Sequence, residues 1–198
     1  MRSPEDRRKR ELRQEILARR RALSQERIID RSLIITTRVL QSWEYQQART
    51  VLLYASFDSE VRTGDLIAAA MRDGKRVLLP RVNRARHALD LYYVEDLDAQ
   101  LAPGIWGIRE PVPDLCEPGR LDEIECVMAP GIGFDIYGGR LGYGGGYYDR
   151  LLNSLTPAQA RVAVGLCFEL QVVHEVPRGF FDAGVSIICT EANLIDHR

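Results

Sequence analysis

The stretch TVLLYASF at residues 50–57 is a short, continuous apolar run that is rich in residues favouring β-structure. Runs of this kind form strands that are buried on both faces, as in the parallel sheets of α/β proteins. Five similar runs predict further strands: KRVLL at 75–79, LDLYYV at 89–94, IECVMA at 124–129, RVAVGLC at 161–167 and VSIIC at 185–189. Pro80 and Pro130 are expected to end the second and the fourth of these six strands, because proline lacks the N–H that a ladder needs.

Amphipathic segments alternate with these runs and predict helices. Residues 5–23 carry an apolar stripe at helical spacing, and Ser24 is expected to cap a second helix that extends to about Gln41. A third helix is predicted at Thr63–Asp73 and is closed by Gly74. The apolar positions expected to be buried in the first two helices are Leu12, Ile16, Leu23, Ile28, Leu33, Ile34 and Val39.

This alternation of strands and helices indicates the fold class. It is typical of βαβ units, and it predicts a three-layer α/β/α fold with a mostly parallel central sheet. A length of 198 residues suggests one domain, which we assign to residues 1–198. The stretch 102–121 contains four prolines and is expected to be an irregular covering loop.

Charge and cysteine usage exclude several classes of protein. The chain has 27 Lys and Arg against 28 Asp and Glu, so it lacks the basic excess usual in nucleic-acid-binding domains. Its longest apolar stretches, such as Leu66–Met71, fall far short of a membrane span. The four cysteines form no C-x-x-C pair, which disfavours a zinc site. The basic N-terminal stretch lacks the apolar region of a secretory signal, which favours a reducing compartment. We therefore expect a cytoplasmic protein with free thiols that binds neither nucleic acid nor membranes.

The segment PGIGFDIYGGRLGYGGGYYDR at 130–150 is the most informative for function. It holds eight of the 16 glycines of the chain, and a helix is predicted after it at 147–153. Glycines between a buried strand and a helix let backbone N–H groups approach a ligand closely, and phosphate is the expected ligand. The alternative is a flexible surface loop, but the interleaved Arg140, Tyr143 and Asp149 disfavour a mere linker.

Two common phosphate motifs are absent from this segment. No G-x-x-x-x-G-K-[ST] pattern is present, so it is not a Walker loop. The run Gly142-x-Gly144-x-x-Tyr147 breaks G-x-G-x-x-G at its last position. The fold is therefore expected to be Rossmann-like but without a dinucleotide fingerprint.

The run RLGYGGGYYDR, preceded by PGIGFD, resembles the signature of the 5-formyltetrahydrofolate cyclo-ligase family, also called methenyltetrahydrofolate synthetases. The resemblance extends over nearly the whole chain. It includes Lys9-Arg10-x-Leu12-Arg13, Ser56-Phe57-x-Ser59-Glu60-Val61-x-Thr63, Leu79-Pro80-Arg81 and Trp106-Gly107-Ile108-x-Glu110-Pro111, in the order of the family.

The resemblance implies an ATP-driven cyclisation. In it, the formyl oxygen of 5-formyltetrahydrofolate attacks the γ-phosphate of ATP, and a neighbouring folate nitrogen then displaces phosphate. The products are 5,10-methenyltetrahydrofolate, ADP and phosphate. The expected partners are 5-formyltetrahydrofolate and MgATP, and the chain is expected to be a monomer or a weak dimer.

The resemblance also implies site residues. Lys9 and Arg13 lie at i and i+4 of one helix and are expected to bind phosphates together. Asp149 and Asp182 are expected to hold Mg²⁺ as hard oxygen ligands, and Arg140 and Tyr147 to be catalytic. The nucleotide is expected at Lys9, Arg13, Arg140, Leu141, Gly142, Tyr143, Gly144, Gly145, Gly146, Tyr147 and Tyr148, and the folate at Ala55, Glu60, Trp106 and Tyr147.

The chain departs from some family members at Tyr143 and Gly145, where they carry Arg and Lys, and at Arg109, where a proline is expected. Phosphate charge must then come more from Lys9, Arg13 and Arg140. Two alternatives remain: a paralogue with the same nucleotide loop and another substrate, and a non-catalytic module that binds folate or nucleotide. RNA binding through the arginine-rich first helix is a more distant one, which would show a steep salt dependence.

Overall fold

The structure is a computed structural model that describes residues 4–198. Its centre is an eight-stranded sheet, formed by β1 (Thr50–Leu52), β2 (Arg76–Asn83), β3 (Ala88–Tyr93), β6 (Glu117–Pro118), β7 (Cys126–Pro130), β10 (Ala163–Leu166), β12 (Ile187–Cys189) and β13 (Leu194–Asp196). Their order across the sheet is β13-β12-β10-β7-β1-β2-β3-β6. From β12 to β2 in that order each strand is parallel to the next. At the two edges β13 is antiparallel to β12, β3 to β2 and β6 to β3.

Five short strands lie outside the central sheet. Two of them form a two-stranded sheet, and the other three form a three-stranded sheet. The glycine-rich segment therefore contains two strands, and the stretch 102–121 contains a strand pair where the sequence predicted only an irregular loop. The five are β4 (Leu101–Pro103), β5 (Arg109–Pro111), β8 (Gly133–Asp135), β9 (Arg140–Leu141) and β11 (Val172–Val173).

Helices cover both faces of the sheet, as the alternation of apolar runs predicted. On one face Ile28 and Ile35 pack with Val51 in the larger apolar cluster, and on the other face Leu151 packs with Leu52. Successive residues of one strand thus enter opposite cores, which is the property of a three-layer arrangement. The helices are α1 (Pro4–Arg21), α2 (Gln25–Gln41), α3 (Trp43–Gln47), α4 (Gly64–Arg72), α5 (Leu97–Gln100), α6 (Tyr147–Asn153) and α7 (Pro157–Ala160).

The prediction that Pro80 ends the second strand is wrong. β2 continues through Pro80 to Asn83, and Pro80 pairs with Leu91 of β3. The parallel register with β1 has already stopped at Leu52 and Leu78. Pro80 therefore has a neighbouring strand on one side only, which is where a proline is tolerated.

Two of the predicted core positions of α2 are also wrong. Leu33 and Ile34 are 55% and 47% exposed. Helical geometry explains this, because the buried residues of α2 follow the spacing of one face and these two lie off it. The cap at Ser24 is confirmed, since its side chain accepts from the amide of Arg27. The buried residues of the helix are Ile28, Ser32, Ile35, Thr36 and Val39.

The first strand is shorter than the run TVLLYASF predicted. The strand ends at Leu52, Leu53 and Tyr54 remain buried beyond it, and the half-buried residues 55–57 then lead towards Glu60. Among residues 4–198, no helix is long and apolar enough to cross a membrane. Cys116, Cys126, Cys167 and Cys189 are buried free thiols, as expected.

Candidate active site

Helix α1 and the glycine-rich segment line a basic cavity of about 1140 Å³. Arg140 reaches from its wall to the carbonyl of Pro130, the last residue of β7, at 3.3 Å. Ala88, which also lines it, pairs with Asn83 at the end of β2. The cavity thus lies near the carboxyl ends of two sheet strands, where open α/β sheets bind ligands. Its charged lining residues are Lys9, Arg10, Arg13, Arg140 and Arg150, with Asp6, Asp149 and Asp182.

Glycines of the glycine-rich segment form part of the cavity wall, close to α1. Gly142, Gly144 and Gly146 all line it. Gly144 has a φ of +96°, and a Cβ built there would lie 3.6 Å from the guanidinium carbon of Arg13. A side chain at this position would therefore be strained and would enter the space beside that cation.

Helix α1 supplies two cations to the cavity. The Nζ of Lys9 forms ion pairs with Asp182 and, at 2.8 Å, with Glu5. Burial lowers the pKa of Lys9, but these two carboxylates outweigh it and raise the pKa above its ordinary value. Arg13 donates from Nε to the carbonyl of Gly142 at 2.7 Å, which ties the helix to the glycine segment.

Arg140 is the most deeply buried cation of the cavity. It donates to Oδ1 of Asp149 at 2.6 Å, and its side chain is only 2% exposed. Burial lowers the pKa of Arg140, and Asp149 opposes this change. Its Nε has no hydrogen-bond partner in the protein. A buried N–H without a partner is costly, and Arg140 lines the cavity, so its guanidinium is a candidate donor to a ligand there.

Asp149 and Asp182 lie in the same cavity wall. Oδ1 of Asp149 also accepts from the amide of Ala183 at 3.1 Å, which brings the α6 carboxylate next to the segment that carries Asp182. Within the described part of the chain, no three His, Cys, Asp or Glu side chains are grouped to enclose a metal. Two carboxylates fit Mg²⁺, because this ion is commonly held by one or two carboxylates together with substrate phosphates and water.

A second polar cluster surrounds Glu60. This carboxylate is 3% exposed; its Oε2 accepts from the amide of Phe57 at 3.1 Å, and its Oε1 accepts from the hydroxyl of Tyr143 at 2.9 Å. Burial raises the pKa of Glu60 to about 7, against the lowering effects of the Phe57 amide and the Arg20 charge. Arg20 is fully buried and donates to Tyr143 at 2.7 Å and to Ser59 at 3.0 Å.

Aromatic rings lie beside Gly145 of the glycine-rich segment. Tyr147 stacks on His87 with 4.8 Å between ring centroids and an interplanar angle of 12°. Trp106 faces Tyr147 edge-on at 6.4 Å, has a φ of +59° and is 62% exposed. His87 also contacts the carbonyl of Gly145 at 2.6 Å. This wall offers flat apolar surfaces of the kind that an aromatic ligand stacks against.

The structure distributes the expected nucleotide residues between several places. Four of them lie outside the cavity lining: Tyr143 points to Glu60, Gly145 and Tyr147 contact His87, and Tyr148 packs in the core with a buried hydroxyl that has no partner. Those that line the cavity are Lys9, Arg13, Arg140, Leu141, Gly142, Gly144 and Gly146.

The expected folate residues fall into three places. Glu60 lies in its own polar cluster, and Trp106 and Tyr147 face each other. Ala55 is half-buried and lies in the chain between the end of β1 and Glu60.

Arg10, Arg150, Arg20 and His87 belong to these sites but were not among the residues predicted from the sequence. Arg10 lies three positions before Arg13, and Arg150 follows Asp149, so spacing and adjacency offered a signal for both. Arg20 and His87 had no such signal, because only tertiary packing brings them to Tyr143 and Tyr147.

A basic, glycine-lined cavity near the carboxyl ends of parallel strands is typical of α/β proteins that bind phosphate groups. A model of the 5-formyltetrahydrofolate cyclo-ligase family matches residues 5–191, and the chain belongs to this family. The resemblance found in the sequence is therefore confirmed, and with it the prediction of a ligase family of folate and one-carbon metabolism.

Individual relatives agree with this assignment. The chain is 31% identical to the 5-formyltetrahydrofolate cyclo-ligase of Escherichia coli K12, over 90% of this chain and 98% of that protein. It is 30% identical to the enzyme of the same name from Mus musculus, over 92% and 93%.

Solved structures support the fold. The NMR structure of 5,10-methenyltetrahydrofolate synthetase from Aquifex aeolicus superposes with a TM-score of 0.82 at 32% identity, over 95% of this chain and 92% of that one. A synthetase from Mycoplasma pneumoniae superposes with a TM-score of 0.73 at 23% identity, over 92% and 98%, and shows the fold alone. The predicted α/β fold with a mostly parallel sheet is thereby confirmed.

Proposed function

We propose that this chain converts 5-formyltetrahydrofolate to 5,10-methenyltetrahydrofolate in a reaction that consumes ATP and requires Mg²⁺. The formyl oxygen attacks the γ-phosphate, ADP leaves, and a neighbouring folate nitrogen attacks the activated carbon. Phosphate then departs with the former formyl oxygen. The observation that carries the proposal is the basic cavity, because the segment resembling the family's glycine signature forms its wall.

Lys9, Arg13 and Arg140 are assigned to the phosphates of the nucleotide. Lys9 is protonated, and Arg140 has an unpartnered N–H in the buried wall of the cavity. Fixed cations of this kind neutralise the charge that develops during phosphoryl transfer without reorganising. The backbone at Gly142 and Gly144 allows phosphate oxygens to approach closely. We assign the catalytic roles to Arg140 and Tyr147.

Asp149 and Asp182 are the proposed magnesium ligands. When bound, Mg²⁺ would neutralise phosphate charge and help to orient the reacting groups. Asp149 uses Oδ1 for Arg140, and Asp182 uses Oδ2 for Lys9. In each carboxylate, one oxygen holds a phosphate-binding side chain in place, and the other oxygen is left to bind a cation.

Glu60 is assigned to the folate ring. A carboxylate can accept paired hydrogen bonds from the amino and ring N–H groups of a pterin. Ala55, Trp106 and Tyr147 are assigned to the flat surfaces of the ring. The buried free thiols are in keeping with a reducing compartment, and we propose a cytoplasmic location.

The test is a turnover assay of the purified chain with 5-formyltetrahydrofolate and MgATP. The methenyl product absorbs in the near ultraviolet, and we expect it to form only when the folate, ATP and Mg²⁺ are all present. Binding of both ligands without product would identify a non-catalytic module. Failure of the folate to bind, with the nucleotide still bound, would indicate a paralogue with another substrate.

A further inference from the structure

Tyr143 is the residue through which the two proposed ligand sites meet. Its backbone lies between Gly142 and Gly144, which line the basic cavity. Its side chain leaves that cavity, packs on Phe57 with 5.2 Å between ring centroids, and places its hydroxyl 2.9 Å from Oε1 of Glu60. One residue thus belongs to the phosphate loop by its backbone and to the Glu60 cluster by its hydroxyl.

The hydrogen bonds through this hydroxyl have a defined direction. Arg20 has only donors, so the phenol oxygen accepts from it, and the phenol proton is then directed at Glu60. Arg20 is fully buried, and Ser59, next to Glu60, accepts from its Nε at 3.0 Å. A charge buried to this extent depends on its partners, so Arg20, Tyr143 and Glu60 act as one unit.

Helix α1 connects the same unit to the nucleotide site a second time. Lys9 and Arg13 face the basic cavity, and Arg20 lies eleven residues beyond Lys9, or about 16 Å along the helix. The helix contacts the glycine segment at two consecutive residues: Arg13 binds the carbonyl of Gly142, and Arg20 binds the hydroxyl of Tyr143. A ligand that fixes Lys9 and Arg13 therefore also fixes the donors that orient Glu60.

We propose that Tyr143 is a positioning residue that couples occupancy of the nucleotide cavity to the orientation of Glu60. The inference rests on the proposed function, because it takes ATP and a folate as the two ligands. Its consequence is that each ligand tightens the binding of the other, which favours formation of the ternary complex. Thermodynamic linkage requires that the factor be the same in both directions.

The test measures binding rather than turnover. The dissociation constant of 5-formyltetrahydrofolate is determined by calorimetry without nucleotide and with a saturating non-hydrolysable ATP analogue and Mg²⁺. For the unaltered chain we expect a ratio of about 5 or more. For Tyr143→Phe, which keeps the ring on Phe57 and removes only the hydroxyl, we expect a ratio of about 1, with the affinity for the analogue alone changed less than about threefold.

Two further variants make the result specific. Tyr137→Phe removes a hydroxyl from an exposed tyrosine of the same glycine-rich stretch, and it should keep the coupling of the unaltered chain. Arg20→Met, alone and combined with Tyr143→Phe, tests whether the two residues act as a unit. If they do, the double variant loses no more coupling than either single variant. Thermal midpoints without ligand show whether each variant is folded.

The outcomes separate the coupling from the proposed function. Absence of coupling in the unaltered chain, or full coupling in Tyr143→Phe, overturns the role of Tyr143 even if the chain forms the methenyl product. Absence of product in the turnover assay overturns the proposed function instead. Loss of analogue affinity in Tyr143→Phe would place the hydroxyl in phosphate binding and would also overturn the coupling.

Discussion

Lys9 of the first helix and Asp182 of the segment before β12 form an ion pair, although they are 173 positions apart in the sequence. The pair lies in the wall of the basic cavity, where Glu5 provides a second carboxylate for the lysine. It brings a proposed phosphate ligand and a proposed magnesium ligand into direct contact. Removal of Lys9 therefore leaves the charge of Asp182 uncompensated where phosphates are expected, whereas removal of Asp182 leaves the lysine paired with Glu5.

We expect Lys9→Ala to raise the KM for ATP by about tenfold or more and to leave the KM for the folate nearly unchanged. One charge-assisted hydrogen bond contributes about 1.5–3 kcal/mol, and the unpaired Asp182 adds repulsion of the phosphates. Arg8→Ala is the matched control, because Arg8 is exposed on the same helix and does not line the cavity. Unchanged ATP kinetics in Lys9→Ala would show that the lysine does not bind the nucleotide.

We expect Gly144→Val to abolish turnover and the thermal stabilisation by ATP. The φ of +96° strains any β-branched side chain, and the new methyl groups would lie against the Arg13 guanidinium. Gly74→Val is the control: Gly74 has a φ of +71° and open space around it, so it carries similar strain, of about 1–3 kcal/mol, away from the cavity. If Gly144→Val keeps the ATP-induced shift in thermal midpoint, this segment does not bind phosphate.

Glu60→Gln should weaken folate binding and leave ATP binding unchanged. The carboxylate accepts at both oxygens, whereas an amide presents an N–H at one end. Because the pKa of Glu60 is about 7, folate binding to the unaltered chain should weaken as the pH falls below 7, and this dependence should be absent from the variant. Folate affinities measured between pH 5.5 and 8.5 test this. An equal loss of folate and ATP affinity would indicate misfolding.

The same residue predicts a pH dependence of stability. The pKa of Glu60 is raised in the folded chain from an ordinary value of 4.5 to about 7, so the folded state binds this proton more tightly. Its favourable contribution is complete below pH 4.5 and is lost as the pH rises to 7. Relative to the unaltered chain, Glu60→Gln should therefore gain about 3 kcal/mol of unfolding free energy between pH 4.5 and pH 8. A difference between the two urea midpoints that does not vary with pH would contradict this.

Asp149→Asn and Asp182→Asn should both raise the Mg²⁺ concentration needed for half-maximal turnover, but they should differ in stability. Asp149 pairs with the buried Arg140, and breaking such a pair costs about 3–5 kcal/mol. The lysine paired with Asp182 keeps Glu5 as a partner, so Asp182→Asn should cost less. Urea unfolding without ligand measures this order. Unchanged Mg²⁺ dependence in both variants would remove the two carboxylates from the metal site.

Much of the fold could be predicted from local sequence. The run TVLLYASF predicted a buried strand, and Ser24 predicted a helix start, because burial on both faces and capping depend on neighbouring residues alone. The continuation of β2 through Pro80 could not be predicted in this way. It depends on where β1 stops and on β3 pairing from the other side, and both are tertiary facts.

The candidate site also has parts that local sequence predicts and parts that it does not. The family, the glycine-rich segment and the shared face of Lys9 and Arg13 could be predicted, because they depend on residue type and spacing. The turn of Tyr143 from the basic cavity to Glu60 and the burial of Arg20 against it could not, because they depend on packing between distant segments. The direction of a side chain at a glycine-flanked position depends on which distant donors and acceptors surround it, and no local pattern encodes those neighbours.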